Sequence, residues 1–353
     1  MTEQQIGDAC RGLGFALAGV CDVRPSARGA EYREWLRAGR HGLMAYLARN
    51  TSIRENPAEL LPGARCAIMV GDLYHERSES RPGAEPGKGL IARYARGRDY
   101  HKVLKKRLHA LCDALAAQHP GAAFRAFVDT APVMEREIAQ LAGLGWIGKN
   151  TLLIHPRLGS FFFLGGVLTT LDIPNNPSLV ADHCGTCTRC IDACPTQAIS
   201  PYSVDASRCI SYLTIEHRAP IDPVFHEAMG SWLYGCDICQ EVCPHNSPRA
   251  EHIDVGRLHE AYAPTHRELD LVEVLNWTEE DRRGALAGSA MTRATLEMLQ
   301  RNALIVASNT LRSGCAEPLR SKLLEAITRA TRDEARPALS ALAAELLRRL
   351  AEA

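Results

Sequence analysis

Eight of the 13 cysteines in this 353-residue chain fall between Cys184 and Cys243, and their spacing limits what that stretch can become. They run Cys184-x2-Cys187-x2-Cys190-x3-Cys194-Pro195, then Cys209 alone, then Cys236-x2-Cys239-x3-Cys243-Pro244. The first run has the bacterial ferredoxin spacing, in which three thiolates of one loop bind a [4Fe–4S] cluster and the fourth, before proline, reaches a second cluster. That crossover assigns Cys184, Cys187, Cys190 and Cys243 to cluster I, and Cys194, Cys209, Cys236 and Cys239 to cluster II. Turns such as Gly185-Thr186 and Gly235 can aim backbone N–H groups at the sulfurs and offset their charge. Disulfides do not suit a reducing compartment, and zinc ribbons need neither a third Cys at x2 nor Cys-Pro after both runs. Two adjacent clusters mean electron transfer, without naming an acceptor. Cys10, Cys21, Cys66, Cys112 and Cys315 stand singly and read as small hydrophobes.

With 41 basic against 41 acidic residues and 46% apolar residues, the chain is expected to be globular, with two or three domains. Charged residues interrupt every apolar stretch before the roughly 20 residues that cross a bilayer, and the N-terminus lacks the basic, apolar start of a leader. A cytoplasmic protein without membrane attachment is expected. Residues 64–70, 123–128, 151–154 and 161–170 read as strands, and 99–118 as a helix carrying Val103, Leu104, Leu108, Leu111 and Leu115 at helical spacing. A second helix is expected over 132–142, with Pro132 in its first turn. Beyond Pro264 the pattern turns helical, over 301–311, 319–330 and a last helix with Leu339, Leu342, Leu346, Leu347 and Leu350 on one face. The fold class is therefore α+β and multidomain: a mixed α/β domain at 1–178, a ferredoxin-like two-cluster module at 179–250, and an α-helical, HEAT-like region at 251–353.

Three motifs test less well. Gly143-Leu-Gly145-Trp-Ile-Gly148 is a literal G-x-G-x-x-G, but it follows a helix and runs into a strand, the reverse of a dinucleotide fingerprint. Its glycines fit a tight helix-to-strand turn, with room for close backbone approach to another ligand. Asp99-x-His101 begins the D-x-H-x-x-G box that places histidine on cobalt in some cobalamin proteins, yet Leu104 stands where the glycine belongs. His101 reads instead as a polar residue on an exposed helix face. Residues 91–110 hold seven basic residues against the single acid Asp99, with Tyr94 and Tyr100 interleaved. Such a run is usually a solvated face, and it also suits an RNA backbone with unstacked bases. Arg312, Arg320, Lys322, Arg329, Arg332, Arg336, Arg348 and Arg349 add basic charge near the C-terminus.

The segments Tyr94-Ala-Arg-Gly-Arg-Asp-Tyr-His101, Val128-Asp-Thr-Ala-Pro-Val-Met-Glu-Arg136, Gly143-Leu-Gly-Trp-Ile-Gly-Lys-Asn-Thr151, Cys209-Ile-Ser-Tyr-Leu-Thr214 and Tyr234-Gly-Cys-Asp-Ile-Cys-Gln240, with the ferredoxin run, closely resemble the epoxyqueuosine reductase family. The similarity spans nearly the whole chain and is least distinctive from 265 onward. The resemblance implies a third cofactor: a base-off cobalamin without a protein histidine on cobalt, held by an α/β domain related to that of reductive dehalogenases. It implies a monomeric oxidoreductase that converts epoxyqueuosine to queuosine at wobble position 34 of tRNA. An external low-potential donor of flavodoxin or ferredoxin type would pass electrons through the two clusters to cobalt.

Opening an epoxide places negative charge on oxygen, and Asp129 matches the family's proton donor. Its pKa is expected to rise by desolvation near Phe127 and Val128. The plain alternative for Asp129 is a helix N-cap ahead of Pro132. Cobalamin contacts carried over by position are Tyr94, Asp129, Lys149, Leu153, Leu164, Ser211 and Asp237, with Arg54. Leu153 and Leu164 could equally be core residues. A corrinoid reductase for a small molecule, or an electron carrier alone, are the alternative readings. The latter leaves about 180 residues of α/β domain without a purpose.

Overall fold

The computed structural model describes residues 1–75, 84–247 and 258–352. Its N-terminal part is built on a four-stranded antiparallel sheet in the order Leu17–Asp22, Cys66–Leu73, Phe162–Thr169, Phe124–Phe127. Side chains alternate across a strand, so Cys66, Ile68 and Val70 face one layer and Ala67 and Met69 the other. The first layer holds Ile6, Leu104, Leu108, Leu111 and Leu115, and the second holds Ile138, Ala139 and Leu144. Helices on both faces explain why Cys66–Leu73 is apolar almost throughout, with seven of its eight residues buried.

The helix Tyr100–Gln118 starts where the Asp99 side chain accepts the His101 backbone N–H. Its Leu104, Leu108 and Leu111 are fully buried on the sheet, and replacing one such leucine by alanine costs about 2–5 kcal/mol through the cavity left behind. The expected strands lie within a few residues of the observed ones. The second helix differs. It runs Glu135–Leu141 rather than from 132, because residues 129–134 form turns that bring Val133 into the core.

A three-stranded sheet was not legible in the sequence. Lys88–Ile91 pairs in parallel with Trp232–Tyr234 and antiparallel with Glu268–Asp270. One strand comes from each segment expected to be a separate domain, and Ile91, Tyr234 and Leu271 share a core with Leu299 and Leu304. The three segments are thus welded together on one side; the expected 250/251 boundary lies outside the described residues. The C-terminal helices Leu296–Arg312, Leu319–Ala330 and Pro337–Ala351 pack on one another over this core. Arg301 ties them to the cysteine-rich module by donating to the carbonyls of Leu213, His217 and Ala219 at 2.6–2.7 Å and 2.8 Å. Among the described residues no helix is long and apolar enough to cross a membrane.

Candidate active site

Cys184, Cys187, Cys190 and Cys243 line one cavity together with Lys149, Asn150, His183 and His245. The Cys243 thiol feels Cys184, Cys190 and Cys187, whereas Cys236 feels Cys239 and Cys209, and Cys239 feels Cys209 and Cys194. Cys239 also feels Cys190, so the two groups of four adjoin. This grouping is compatible with the expected crossover. Burial pushes the Cys243 thiol up to about 11 and raises Cys236 and Cys239 too, so metal coordination is what would draw off their protons. Among the described residues no three Cys, His, Asp or Glu side chains converge on a single-ion site; a cubane spreads its thiolates around its corners.

The two groups differ in surroundings. His183, Gly185, Thr186 and Arg189 around the first are exposed. Asp237, between Cys236 and Cys239, is 1% exposed and accepts the Arg93 backbone N–H at 2.7 Å. Burial pushes its carboxyl up to about 6 against the pull of Arg93. Tyr94 packs beside Gly235, and the Ser211 backbone N–H faces the Cys209 sulfur.

Tyr94 leads from this inner group to a pocket around Asp129, through an edge-on contact with Tyr100 at 6.2 Å. Asp129 follows the strand Phe124–Phe127 and has φ 30°, an uncommon region for a residue with a side chain. Its Oδ2 accepts from the Tyr100 hydroxyl at 3.1 Å and meets His101 Nε2 at 2.9 Å. His101 Nδ1 lies 2.7 Å from Asp99 Oδ1. Tyr100 is sandwiched, with ring centroids 4.0 Å from His101 and 4.1 Å from Phe163. With a carboxylate on each nitrogen, His101 satisfies both as a double donor, that is, as imidazolium.

This arrangement corrects the expectation for Asp129. Desolvation does push its carboxyl up, but the hydrogen bond and charge of His101, the Tyr100 hydroxyl and Arg136 outweigh it, and the pKa falls below the usual value. Desolvation lowers His101, while hydrogen bonds and charge from Asp129 and Asp99 more than reverse this and raise it. The array's mobile proton therefore rests on His101, not Asp129. Nor is Asp129 a helix N-cap: Met134 occupies that position. Beside it, burial and the Asp129 charge push Glu135 up to about 8.

Of the expected contacts, Arg54 faces Glu135 and Tyr46 at this pocket, and its Nε makes no hydrogen bond. Tyr94, Ser211 and Asp237 lie along the route from the inner cysteines. Leu153 is a core residue packed with Phe127, Ile147 and Phe162, and Leu164 is half-buried against the same cluster. The Lys149 Nζ donates to the Gly185 and Cys187 carbonyls at 2.6 and 3.1 Å, which ties it to the outer cysteine loop.

Sequence reasoning missed His101, Tyr100 and Glu135. It also misread part of the basic run. Arg93, Arg96 and Arg107 are buried, Arg107 on Asp72 and Arg93 beside Glu241, leaving Arg98, Lys102, Lys105 and Lys106 exposed.

A double set of cluster-forming cysteines fused to an α/β domain with its own acid–base array defines an iron–sulfur oxidoreductase. Residues 183–246 match the 4Fe-4S double cluster binding domain, and residues 54–130 match the family described as epoxyqueuosine reductase QueG, DUF1730. An epoxyqueuosine reductase of Pseudomonas aeruginosa is 42% identical over 317 residues, 87% of this chain and 85% of the relative. One from Synechocystis is 41% identical over 82% of this chain and 98% of its own length. The chain belongs to the epoxyqueuosine reductase family. The fold agrees: a crystal structure of epoxyqueuosine reductase with an epoxyqueuosine-modified tRNA-Tyr stem loop superposes with TM-score 0.85 at 26% identity, covering 98% of this chain and 89% of that one. A Bacillus subtilis structure, described with its catalytic aspartate loop swung out of the active site, gives 0.84 at 25% identity, covering 98% and 90%.

Proposed function

We propose that this enzyme reduces epoxyqueuosine to queuosine at wobble position 34 of tRNA, with Asp129 delivering the proton and two [4Fe–4S] clusters passing electrons to a base-off cobalamin. The observation that carries the proposal is the Asp99–His101–Asp129 array, joined through Tyr100 and Tyr94 to the inner cysteine group. Cluster I takes Cys184, Cys187, Cys190 and Cys243, and cluster II takes Cys194, Cys209, Cys236 and Cys239. An external flavodoxin- or ferredoxin-type donor meets the exposed cluster I loop. The enzyme acts as a cytoplasmic monomer whose α/β part, 1–178, holds cobalamin, with 179–250 holding the clusters and 251–353 serving tRNA.

The pocket residues suit cobalamin. The Arg54 Nε and Glu135 Oε1 atoms are buried without hydrogen-bond partners, as groups waiting on a polar ligand such as the corrin amides would be. His101 has both nitrogens engaged with carboxylates, so it offers no lone pair to cobalt. Tyr94, Arg54, Leu164, Ser211 and Asp237 would border the group, which supplies the reducing centre when bound.

The chain's own work is proton supply and substrate placement. As the epoxide C–O bond opens, charge builds on oxygen. His101, steadied by Asp99, passes its proton to Asp129, which delivers it to that oxygen. Tyr100 holds the carboxylate in place and offers a second O–H. Tyr46, 40% exposed with the Arg293 guanidinium 5.6 Å from its ring, feels the Asp129 charge and stands at the pocket mouth, where an unstacked anticodon base can lie. Exposed Arg98, Lys102, Lys105, Lys106, Arg320, Lys322 and Arg332 supply charge for the RNA backbone.

The test is anaerobic reconstitution with iron, sulfide and cobalamin, followed by reduction assays on epoxyqueuosine-containing tRNA and on the free nucleoside. Corrin absorption that co-purifies with the protein, and turnover favouring the tRNA, are expected. Turnover without any bound corrin would overturn the cobalamin assignment.

A further inference from the structure

We infer that the segment 143–151, whose glycine pattern mimics a dinucleotide fingerprint, is the device that seats cluster I and sets its reduction potential. This deepens the two-cluster proposal and rests on it. Trp146 is 1% exposed, and its indole Nε1–H donates to Cys184 Sγ at 3.5 Å. Two imidazoles, His183 and His245, meet the indole edge-on at 5.0 and 4.8 Å and fix its plane. Three residues on, the Lys149 ammonium donates to the carbonyls of Gly185 and Cys187 in the same loop. Gly148 lets the backbone close in: a Cβ there would lie 3.4 Å from Cys184 Sγ and only 2.5 Å from Ile154 Cδ1. The next side chain, Asn150, reaches the Cys239 carbonyl at 3.5 Å and so touches the cluster II loop as well.

One nine-residue stretch thus places an N–H donor and a cation on the cluster I loop and a hydrogen bond on the loop of its neighbour. Reducing a cluster adds an electron to a centre already made negative by four thiolates. An N–H on a ligand sulfur and a cation close by stabilise the reduced form more than the oxidised one, so both raise the potential. Burial of the indole keeps water from substituting for the N–H if it is removed. Trp146 and Lys149 are therefore positioning residues that make cluster I easier to reduce.

The experiment is a redox titration of the reconstituted holoprotein, followed by EPR, for wild type, Trp146→Phe, Lys149→Met and Lys149→Arg. In Trp146→Phe and Lys149→Met the cluster I reduction equilibrium should fall about tenfold, which is about 59 mV for a one-electron couple, with cluster II unmoved. Lys149→Arg, which keeps the charge, should return the potential to near wild type. An unchanged cluster I potential in both variants with full iron content overturns the inference. So does loss of cluster I iron as the only effect, since that marks a purely structural role. A wild-type protein holding fewer than about eight irons refutes instead the two-cluster reading beneath it.

Discussion

His101→Phe separates the acid–base array from the rest of the enzyme, because phenylalanine can keep the stack on Tyr100 while removing both ring nitrogens. The ring makes two charge-assisted contacts, 2.7 Å to Asp99 and 2.9 Å to Asp129. The Asp129 side chain is 56% exposed, so screening by water reduces that contact to about 1 kcal/mol. Asp99 is 19% exposed, and its contact keeps about 2 kcal/mol. The variant should lose about 3 kcal/mol of stability, measured by denaturant unfolding of the apoprotein.

The catalytic loss should be larger, about 10²–10⁴-fold in kcat/KM, as expected when a positioned proton source is removed. Its pH dependence identifies the cause. In the wild type the proton sits on a raised His101, so activity holds at low pH and falls as pH rises through that value. In His101→Phe the imidazole that carries the proton is gone, so this fall should be lost from the profile. Wild-type rates with an unshifted profile, in a variant fully loaded with cofactors, would refute the relay.

Other outcomes follow from the same geometry. Cys243→Ala should cost cluster I iron and spare cluster II, read by iron analysis and EPR; the opposite loss overturns the crossover. Glu135 has a folded pKa raised to about 8, so the folded state holds a proton that the unfolded chain releases, and stability is lost as pH rises from the ordinary carboxyl value through about 8. Glu135→Gln should remove that slope in thermal unfolding; an unaltered slope places the titration elsewhere. Gly145→Ala would set a Cβ 2.2 Å from the Ile154 carbonyl oxygen and should destabilise by about 1–3 kcal/mol or more, lowering Tm.

The cysteine spacing carried the cluster loops because most ferredoxin ligation is local in sequence, with Cys194, Cys209 and Cys243 arriving from a distance. The sheet at Lys88–Ile91 was hidden because its pairing joins residues more than 140 positions apart, each in a strand of three or four residues with no periodicity of its own. His101 was hidden by its neighbours. Lys102, Lys105 and Lys106 made the first turn look solvated, yet His101 heads the stripe Leu104, Leu108, Leu111 and Leu115, and that spacing turns it inward. Arg107 sits on the same buried face, and a helical-wheel reading of charge would have separated it from the exposed lysines. The lowered Asp129 could not be read from Phe127 and Val128 alone, since its partner comes from another element 28 residues earlier.

The most direct measurement is single-turnover conversion of epoxyqueuosine to queuosine in tRNA, followed by mass spectrometry, for wild type and Asp129→Asn with clusters and cobalamin both loaded. Loss of most conversion in Asp129→Asn, with cofactor spectra unchanged, is the predicted result. Conversion at the wild-type rate by that variant would contradict Asp129 as the proton donor and the account built around it.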